Sequence, residues 1–305
     1  MRTSLLEPPK AVLPDLEKLW KIKPDKDDTF FNQGNALAKL GRFEDALTSY
    51  AKPLEIQPHF SEAWYNRGNA LFNLGRYEEA IASYDETLKI QPDFYEAWYN
   101  RGDTLFNLGR FEDAIASWNK ALEIQPNLHQ AWINLGVALD ELGRHEEAIA
   151  SYDENLKFQP GNYRAWYNRG VALGNLGRFE EAIGSFNKAL ELKPDYADAF
   201  YNKACCYALQ GNVEQAIKNL QQAINLSPNE YRQDAKTDSD FDSIRDSERF
   251  QALLQEESDP EEGEIDVERD IIVRMEPMRR RPVKLNVKHL GRAKLRVVYD
   301  SLPTE

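Results

Sequence analysis

The 305 residues carry 38 Lys plus Arg against 51 Asp plus Glu, a net charge of −13, with 42% apolar and 11% aromatic residues. That composition excludes a disordered chain, and it excludes a surface given over wholly to nucleic acid or an anionic membrane. No apolar run approaches the ~18 residues that a membrane helix needs, and the two cysteines, adjacent at 205 and 206, exclude a disulfide scaffold and point to a reducing, cytoplasmic compartment.

Residues 1–26 are read as an N-terminal extension. Its start, MRTSLLEPPKAV, has no apolar stretch of the kind a signal peptide carries, so none is expected. Pro24, in the stretch LEKLWKIKPDKDD, lies 34 residues before Pro58, in step with the prolines further on. The spacing predicts a lone capping helix over 14–23.

From Asp27 the chain repeats itself. Six 34-residue repeats tile 27–60, 61–94, 95–128, 129–162, 163–196 and 197–230 without a gap. Numbered from 1 within each repeat, position 4 is always aromatic (Phe30, Trp64, Trp98, Trp132, Trp166, Phe200). Position 8 is Gly34, Gly68, Gly102, Gly136 and Gly170, then Ala204, while position 20 is always Ala and position 32 always Pro. A Leu-Gly pair such as Leu74-Gly75 ends a first helix, the glycine taking the left-handed place beyond it. A second helix runs from about position 18 to 30 and stops before the proline. Small residues at 8 and 20 let the two helices approach closely, and rings at 4 and 24 (Tyr84, Trp118, Tyr152, Phe186) fill the space around the contact. Trp98 and Trp132 are therefore expected to be packing residues. Pro53, at position 27, should kink or shorten the second helix of the first repeat. One such hairpin cannot bury its own apolar face, so the repeats must stack.

This pattern resembles the tetratricopeptide repeat over about two-thirds of the chain. The resemblance implies an all-α fold, a right-handed superhelical solenoid of antiparallel helix pairs, with a concave groove that binds protein or peptide. The sequence departs from the family at position 7, usually Leu and here Arg67, Arg101 and Arg169. Their stems are expected on the packing face with the guanidinium directed outward.

At ~100° per residue, positions 4, 7, 8, 11 and 14 of the first helix share the packing face. Positions 2, 5, 6, 9, 12 and 13 fall opposite, on the side that the resemblance makes the groove. Position 6 is asparagine in every repeat: Asn32, Asn66, Asn100, Asn134, Asn168, Asn202. An amide donates and accepts at once, so this row either grips the backbone of an extended peptide or bonds the neighbouring repeat. The row is similar to the asparagine ladder in the repeat region of O-GlcNAc transferases. Position 5 adds Phe31, Tyr65, Tyr99, Tyr167 and Tyr201, with Ile133 the exception; these rings either stack on a partner or pad the contact between repeats. Family members that clamp a C-terminal carboxylate do so with lysine at position 5, and none stands there. The acids Asp28, Glu62, Glu96, Asp103, Asp140, Glu141 and Asp198 face only Lys39 and Arg164, a net −5. A basic or polar extended partner is favoured. The expected partner-binding residues are the six asparagines with Tyr65, Tyr99, Tyr167, Tyr201, Glu62, Glu96, Asp103 and Asp140.

Residues 231–254 lack the repeat signature but supply Phe241, Ile244, Phe250, Leu253 and Leu254, enough to cover the last repeat as a C-terminal capping segment. Residues 255–270 read as an acidic linker, with nine acidic side chains against Arg269. Residues 271–305 are basic and β-prone. The alternation of Val283, Leu285 and Val287 predicts a β-hairpin turning at about 289–292, against the alternative of a tail without fixed structure. Segment 276–296 carries eight basic residues and one acidic, so the tail either folds back onto the acidic groove or stays solvated or docked on its own acidic linker.

No GxxxxGK, HExxH or CxxC motif occurs, and the four histidines, at 59, 129, 145 and 289, fall at unrelated repeat positions. No catalytic residue, metal or cofactor is expected, and Cys206 stands where other repeats carry a small packing residue. The reading is a non-catalytic, cytoplasmic protein-interaction adaptor or scaffold that binds an extended peptide segment of another protein, with no membrane partner. The alternative is a nucleic-acid-associated or regulatory protein that acts through the basic tail, with the array as recruiting module; the acidic linker beside the tail makes nucleic acid the less favoured partner.

Overall fold

The computed structural model describes residues 26–255. The capping helix expected over 14–23, the linker beyond Gln255, and the hairpin and basic tail of 271–305 lie outside the described residues. The chain divides into two compact units, Met1–Pro126 and Asn127–Glu305. Within the first unit the helices are α1 (Lys26–Lys39), α2 (Phe43–Ile56), α3 (Ser61–Asn73), α4 (Tyr77–Ile90), α5 (Tyr95–Asn107) and α6 (Phe111–Ile124). The second holds α7 (His129–Glu141), α8 (His145–Phe158), α9 (Tyr163–Asn175), α10 (Phe179–Leu192), α11 (Ala197–Leu209), α12 (Val213–Leu226) and α13 (Pro228–Thr237). A 3-10 turn (Ser239–Ile244) and α14 (Glu248–Gln255) complete it. The described chain is all-α, with no strand among these residues. Each repeat is an antiparallel helix pair, and within each unit the second helix of a repeat packs on the first helix of the next, α2 on α3 and α4 on α5, α8 on α9 and α10 on α11.

The turn inside each pair follows from one residue. Gly41 and Gly75 have φ of 74° and 75°, a region costly for a side chain, and the same holds at position 15 of every repeat. The Gly41 N–H reaches Ala38 O at 2.9 Å and the Arg42 N–H reaches back to Leu37 O at 2.9 Å, which satisfies carbonyls that the end of α1 leaves open. The second helix stops at a residue such as Gln57, Gln91 or Gln125, just before the proline turn.

Pro53 does not shorten its helix. Helix α2 keeps the same 14 residues as α4. Position 27 faces inward, where Thr87 and Ala121 sit in other repeats, and Pro53 is buried there with its carbonyl accepting from the Gln57 N–H. Packing holds the helix together across the one missing donor.

The core of each pair is a ring against a glycine. Position 24 is the fully buried ring: Trp118 has 0% exposure, and Tyr50, Tyr84, Tyr152 and Phe186 are equally enclosed. Each lies against the backbone of the glycine at position 8. A Cβ at Gly102 would fall 2.5 Å from Trp118 Nε1, and one at Gly170 would fall 2.6 Å from Phe186 Cε1. Repeat 6 confirms the rule from the other side. There position 8 is Ala204, and position 24 is Leu220, which has no ring to collide with.

The tryptophans at position 4 are a correction to the sequence reading. Trp98 is only half-buried. Its indole N–H donates to Pro92 O at 2.9 Å, and the Arg101 guanidinium lies 5.9 Å from its ring centroid. Trp64 and Trp166 do the same with Pro58 and Pro160. Position 4 thus ties the proline turn to the first helix, and position 24 fills the core.

The C-terminal segment closes the second unit. Phe241, Ile244, Phe250, Leu253 and Leu254 are buried in one cluster with Ala208, Leu220 and Ile224 of the last repeat. Tyr201 donates its hydroxyl to Asp238 Oδ2 at 2.8 Å, which pins the cap to α11.

Two stability measurements check this packing. Trp118→Ala should cost ~3–5 kcal/mol in a urea titration, and Trp98→Ala should cost clearly less. Gly102→Ala should cost about 1–3 kcal/mol in the wild-type background and much less when combined with Trp118→Leu, the pairing that repeat 6 already uses.

Candidate functional site: the outer face of the first helices

The first helix of each repeat presents one face away from its own second helix, and the structure sorts the expected residues on it into three groups.

The asparagine row lies between repeats. Asn66 donates from Nδ2 to Asn35 Oδ1 at 2.8 Å. Asn100 donates to Asn69 Oδ1 at 2.9 Å and to the Tyr65 hydroxyl at 3.0 Å. Asn202 donates to the Tyr167 hydroxyl at 2.9 Å. Asn134, Asn168 and Asn202 are buried, Asn66 and Asn100 are half-buried, and only Asn32 is exposed. Of the two uses open to this row, these amides serve the second, bonding the neighbouring repeat.

The rings of position 5 turn inward with them. Tyr99, Tyr167 and Tyr201 are buried, as is Ile133, and burial pushes the Tyr167 and Tyr201 hydroxyls far above the usual phenol range. Tyr65 is half-buried, its ring 4.8 Å from that of Phe94. These tyrosines pad the contact between repeats.

Two of the expected acids also face inward. Asp103 Oδ1 accepts from the Trp118 indole N–H at 3.1 Å, and Asp103 is buried. Asp140, with a side chain 2% exposed, accepts from the Tyr152 hydroxyl at 2.8 Å on Oδ2, and its Oδ1 lies 2.8 Å from His145 Nδ1. Both were expected on the groove surface, and both instead satisfy the polar tip of the core ring. Of the others, Glu62 is exposed, Glu96 and Glu141 are half-buried, and the half-buried Asp198 accepts from the Tyr231 hydroxyl at 2.8 Å on Oδ1.

The core ring explains which residue stands at position 9. Where the ring has a polar tip, position 9 supplies an acceptor: Asn35 for the Tyr50 hydroxyl at 2.9 Å, Asn69 for Tyr84 at 2.8 Å, Asp103 for Trp118. Where position 24 is Phe186 or Leu220, position 9 is Val171 or Cys205. Repeat 4 has Val137 there, and Asp140, one turn on, takes over the role for Tyr152. A buried polar tip without a partner is costly, so ring and acceptor change together. This coupling was readable by comparing repeats position by position.

Two aromatics that the sequence reading did not select stand on this face in the first unit. Phe72 and Phe106, at position 12, are half-buried. Phe72 packs 5.6 Å from Tyr77 and Phe106 5.2 Å from Phe111. In the second unit position 12 holds Asp140, Gly174 and Ala208 instead.

The arginines of position 7 do not send their charge into solvent. Arg101 Nε donates to Asp85 Oδ1 and its Nη1 to Ser117 Oγ, both at 2.7 Å. The sulfur groups are inert in this setting. Burial pushes the Cys206 thiol up to about 12 and the Cys205 thiol well above its usual range, so both stay neutral near pH 7. Among the described residues Cys205, Asp238 and Asp240 bring three potential metal donors within 4.8 Å of one another. Asp238 already accepts from the Tyr201 hydroxyl and from the Asp240 N–H, bonds that tie the cap to α11. No helix among the described residues is long and apolar enough to cross a membrane.

Asp140 gives the second unit a pH signature. Burial holds its carboxyl above the usual carboxylate range, against the opposing pull of the His145 and Tyr152 bonds. The folded state then binds the proton more tightly than the unfolded one, so this group's contribution is full at low pH and is lost as pH rises through its folded value. Asp140→Asn should remove that loss: the unfolding free energy of the wild type should fall relative to the variant as pH rises from about 4 upward, read by denaturant titration across pH.

Comparison with known proteins follows the same lines. Residues 31–93 match the tetratricopeptide repeat, and so do residues 95–128, 129–162, 163–196 and 197–230. Among curated proteins no relative matches this chain. The solved structure of YrrB, described as a tetratricopeptide-repeat protein with an unusual peptide-binding site, is 26% identical, with a TM-score of 0.55 over 59% of this chain and 93% of that one. A crystal structure of MamA is 27% identical, with a TM-score of 0.53 over 56% of this chain and 93% of its own. PilF of Pseudomonas aeruginosa, at 16% identity and a TM-score of 0.55, shares the fold over 70% of this chain and 95% of its own.

Proposed function

Because this chain belongs to the tetratricopeptide repeat family, whose fold is a protein-interaction scaffold, we propose that it binds an extended basic or polar segment of another protein on the outer face of α1, α3 and α5. The observation that carries this reading is the composition of that face in the first unit. Glu62 and Glu96 remain outside, Phe72 and Phe106 stand half-buried one row away, and Asn32 is exposed. Acids capture a basic segment quickly, and half-buried rings give it an apolar footing. Asn66, Asn100 and Tyr65 frame the surface from below, with their polar atoms engaged between repeats. The likeness to YrrB, a protein described as having a peptide-binding site, supports the same class of ligand. The proposed role is non-catalytic: Asp103, Asp140, Asn66, Asn100 and Asn202 are each bonded to a structural partner.

The chain's own residues 276–296, with eight basic residues and one acidic, have the chemistry of such a ligand. Tethering raises their effective concentration, so they compete with an external segment.

A labelled peptide of residues 276–296 tests both parts. It should bind a chain ending at Glu256, and Glu62→Lys with Glu96→Lys should weaken that binding about tenfold at low salt, with the difference shrinking as salt rises. Asn168→Ala should lower stability and leave binding unchanged. Full-length protein should bind the peptide more weakly than the shortened chain at low salt. Equal binding by the two chains would remove the self-competition, and indifference to the two Glu→Lys changes would remove the proposed surface.

A further inference from the structure

The six repeats are not interchangeable, and their differences recur every second repeat. Repeats 2 and 4 read Tyr-Asp-Glu-Thr-Leu-Lys (84–89) and Tyr-Asp-Glu-Asn-Leu-Lys (152–157). Repeats 3 and 5 read Trp-Asn-Lys-Ala-Leu-Glu (118–123) and Phe-Asn-Lys-Ala-Leu-Glu (186–191), and repeat 1 follows them with Lys52 and Glu55. Charge therefore alternates in sign at positions 26 and 29 through repeats 1 to 5, and repeat 6 carries the neutral Gln222 and Asn225 there. The exposed pairs Lys89–Glu86, Lys120–Glu123, Lys157–Glu154 and Lys188–Glu191 carry that alternation.

Position 7 does not keep that period, reading Arg67, Arg101, Leu135, Arg169 and Lys203 in repeats 2 to 6, and only its residues 101 and 169 follow an Asp at position 25. Arg101 and Arg169 open repeats that follow an Asp at position 25, whereas Leu135 opens the repeat that follows Asn119. In the structure Arg101 bonds Asp85 of the preceding repeat and Ser117 of its own, and Arg169 bonds Asp153 and Ser185 at the same 2.7 Å distances. Each arginine thus ties the second helices of two consecutive repeats. Its side chain is mostly enclosed, 22% exposed at Arg101 and 21% at Arg169. Arg67, which follows Ala51, reaches only Ser83 of its own repeat and the ring of Trp64.

Almost every other feature that joins repeats is the same throughout. The alanine of position 20 and the asparagine of position 6 recur in every repeat, and the ring on glycine of repeats 1 to 5 lies within the repeat, so none of these residues by itself marks which neighbour, in the same or another molecule, a repeat should meet. Repeat arrays are prone to such misassembly and exchange. Specificity then has to come from the positions that differ. A repeat 3 stacked on a repeat 1 would set Arg101 against Ala51, and a repeat 5 stacked on a repeat 3 would set Arg169 against Asn119. Each would keep only the serine of its own repeat, as Arg67 does after Ala51, and would lose the ion partner that it has in the native order, a loss that costs stability.

We infer that the Arg101–Asp85 and Arg169–Asp153 pairs are a recognition code for the stacking of repeat 3 on repeat 2 and of repeat 5 on repeat 4, that they define two 68-residue units of two repeats, and that they prevent out-of-register stacking within the chain and onto a second copy of it. The Asn66–Asn35 and Asn100–Asn69 bonds hold the stack together. Arg101–Asp85 and Arg169–Asp153 decide its order.

The test uses the full chain, refolded from denaturant over a range of protein concentrations, with the masses of the products read by light scattering. One variant carries Asp85→Asn, Arg101→Leu, Asp153→Asn and Arg169→Leu, the combination that Asn119 and Leu135 already represent. A second exchanges the charges at both junctions, through Asp85→Arg, Arg101→Asp, Asp153→Arg and Arg169→Asp. The neutral variant should give a share of dimers and larger species raised about five-fold over wild type, and the exchanged variant should return to the wild-type share. If the neutral variant refolds to the wild-type share of monomer, whatever its denaturant midpoint, the pair contributes stability alone and the inference is overturned. If the exchanged variant misassembles as much as the neutral one, charge pairing does not set the order and the inference is overturned as well. Mixing wild type with the exchanged variant during refolding gives an independent reading. Mixed dimers should be rarer than like dimers, and a random distribution would count against the code.

Discussion

The contact on which the rest of the structure depends is that of a ring with a backbone. At position 8 the first helix has no side chain, and the ring at position 24 of the second helix lies on the bare main chain, so close that a Cβ at Gly102 would fall within 2.5 Å of Trp118. Interiors pack densely, and such a contact has no slack in either direction. It sets how near the two helices of a repeat stand. It also forces the next choice: a tyrosine or tryptophan carried that deep brings a polar tip with it, and the tip needs an acceptor. Position 9 supplies one in repeats 1 to 3, and Asp140 supplies one in repeat 4. Where the tip is absent, the acceptor is absent too.

Polar satisfaction of this kind narrows the surface that is left for a partner. Asn66, Asn100 and Asn202 have amides that bridge repeats, and Asp103 and Asp140 have carboxylates that face the core. Each would be attractive to a peptide if it were exposed. Their removal from the surface leaves Glu62, Glu96 and the half-buried Phe72 and Phe106 as the chemically distinct features of the first unit, while the second unit shows Gly174 and Ala208 in the equivalent row. The two units are built alike inside and differ outside, as expected of a scaffold whose fold is repeated and whose recognition is local.

A repeated fold also creates its own difficulty. Positions that are constant give every repeat the same stacking surface, and so they cannot distinguish one neighbour from another. The variable positions do that. Arg101 with Asp85 and Arg169 with Asp153 are strong enough as geometry to mark a junction, because each arginine is held by two acceptors and largely shielded from water.

The sequence by itself determined the repeat length, the helix pairs and their limits. Proline at position 32, glycine at position 15 and the 34-residue period act locally through backbone stereochemistry, and local rules can be read along a chain. The residues at 241, 244, 250, 253 and 254 were legible as cover for the last repeat because an apolar end face has to be covered. The tertiary structure alone decided which side of a residue faces what. A helical wheel separates two faces by angle, yet positions 5, 6 and 9 sit at the edge between outside and inter-repeat contact, and the neighbouring repeat then encloses them. Tyr167 and Asn168 are buried for that reason, and Trp98, placed by pattern in the core, is displaced from it by Trp118, whose ring already fills the space over Gly102. Pro53 likewise kept its helix because packing outweighed one lost hydrogen bond. Backbone preferences act between near neighbours in sequence, and burial is a property of the stack.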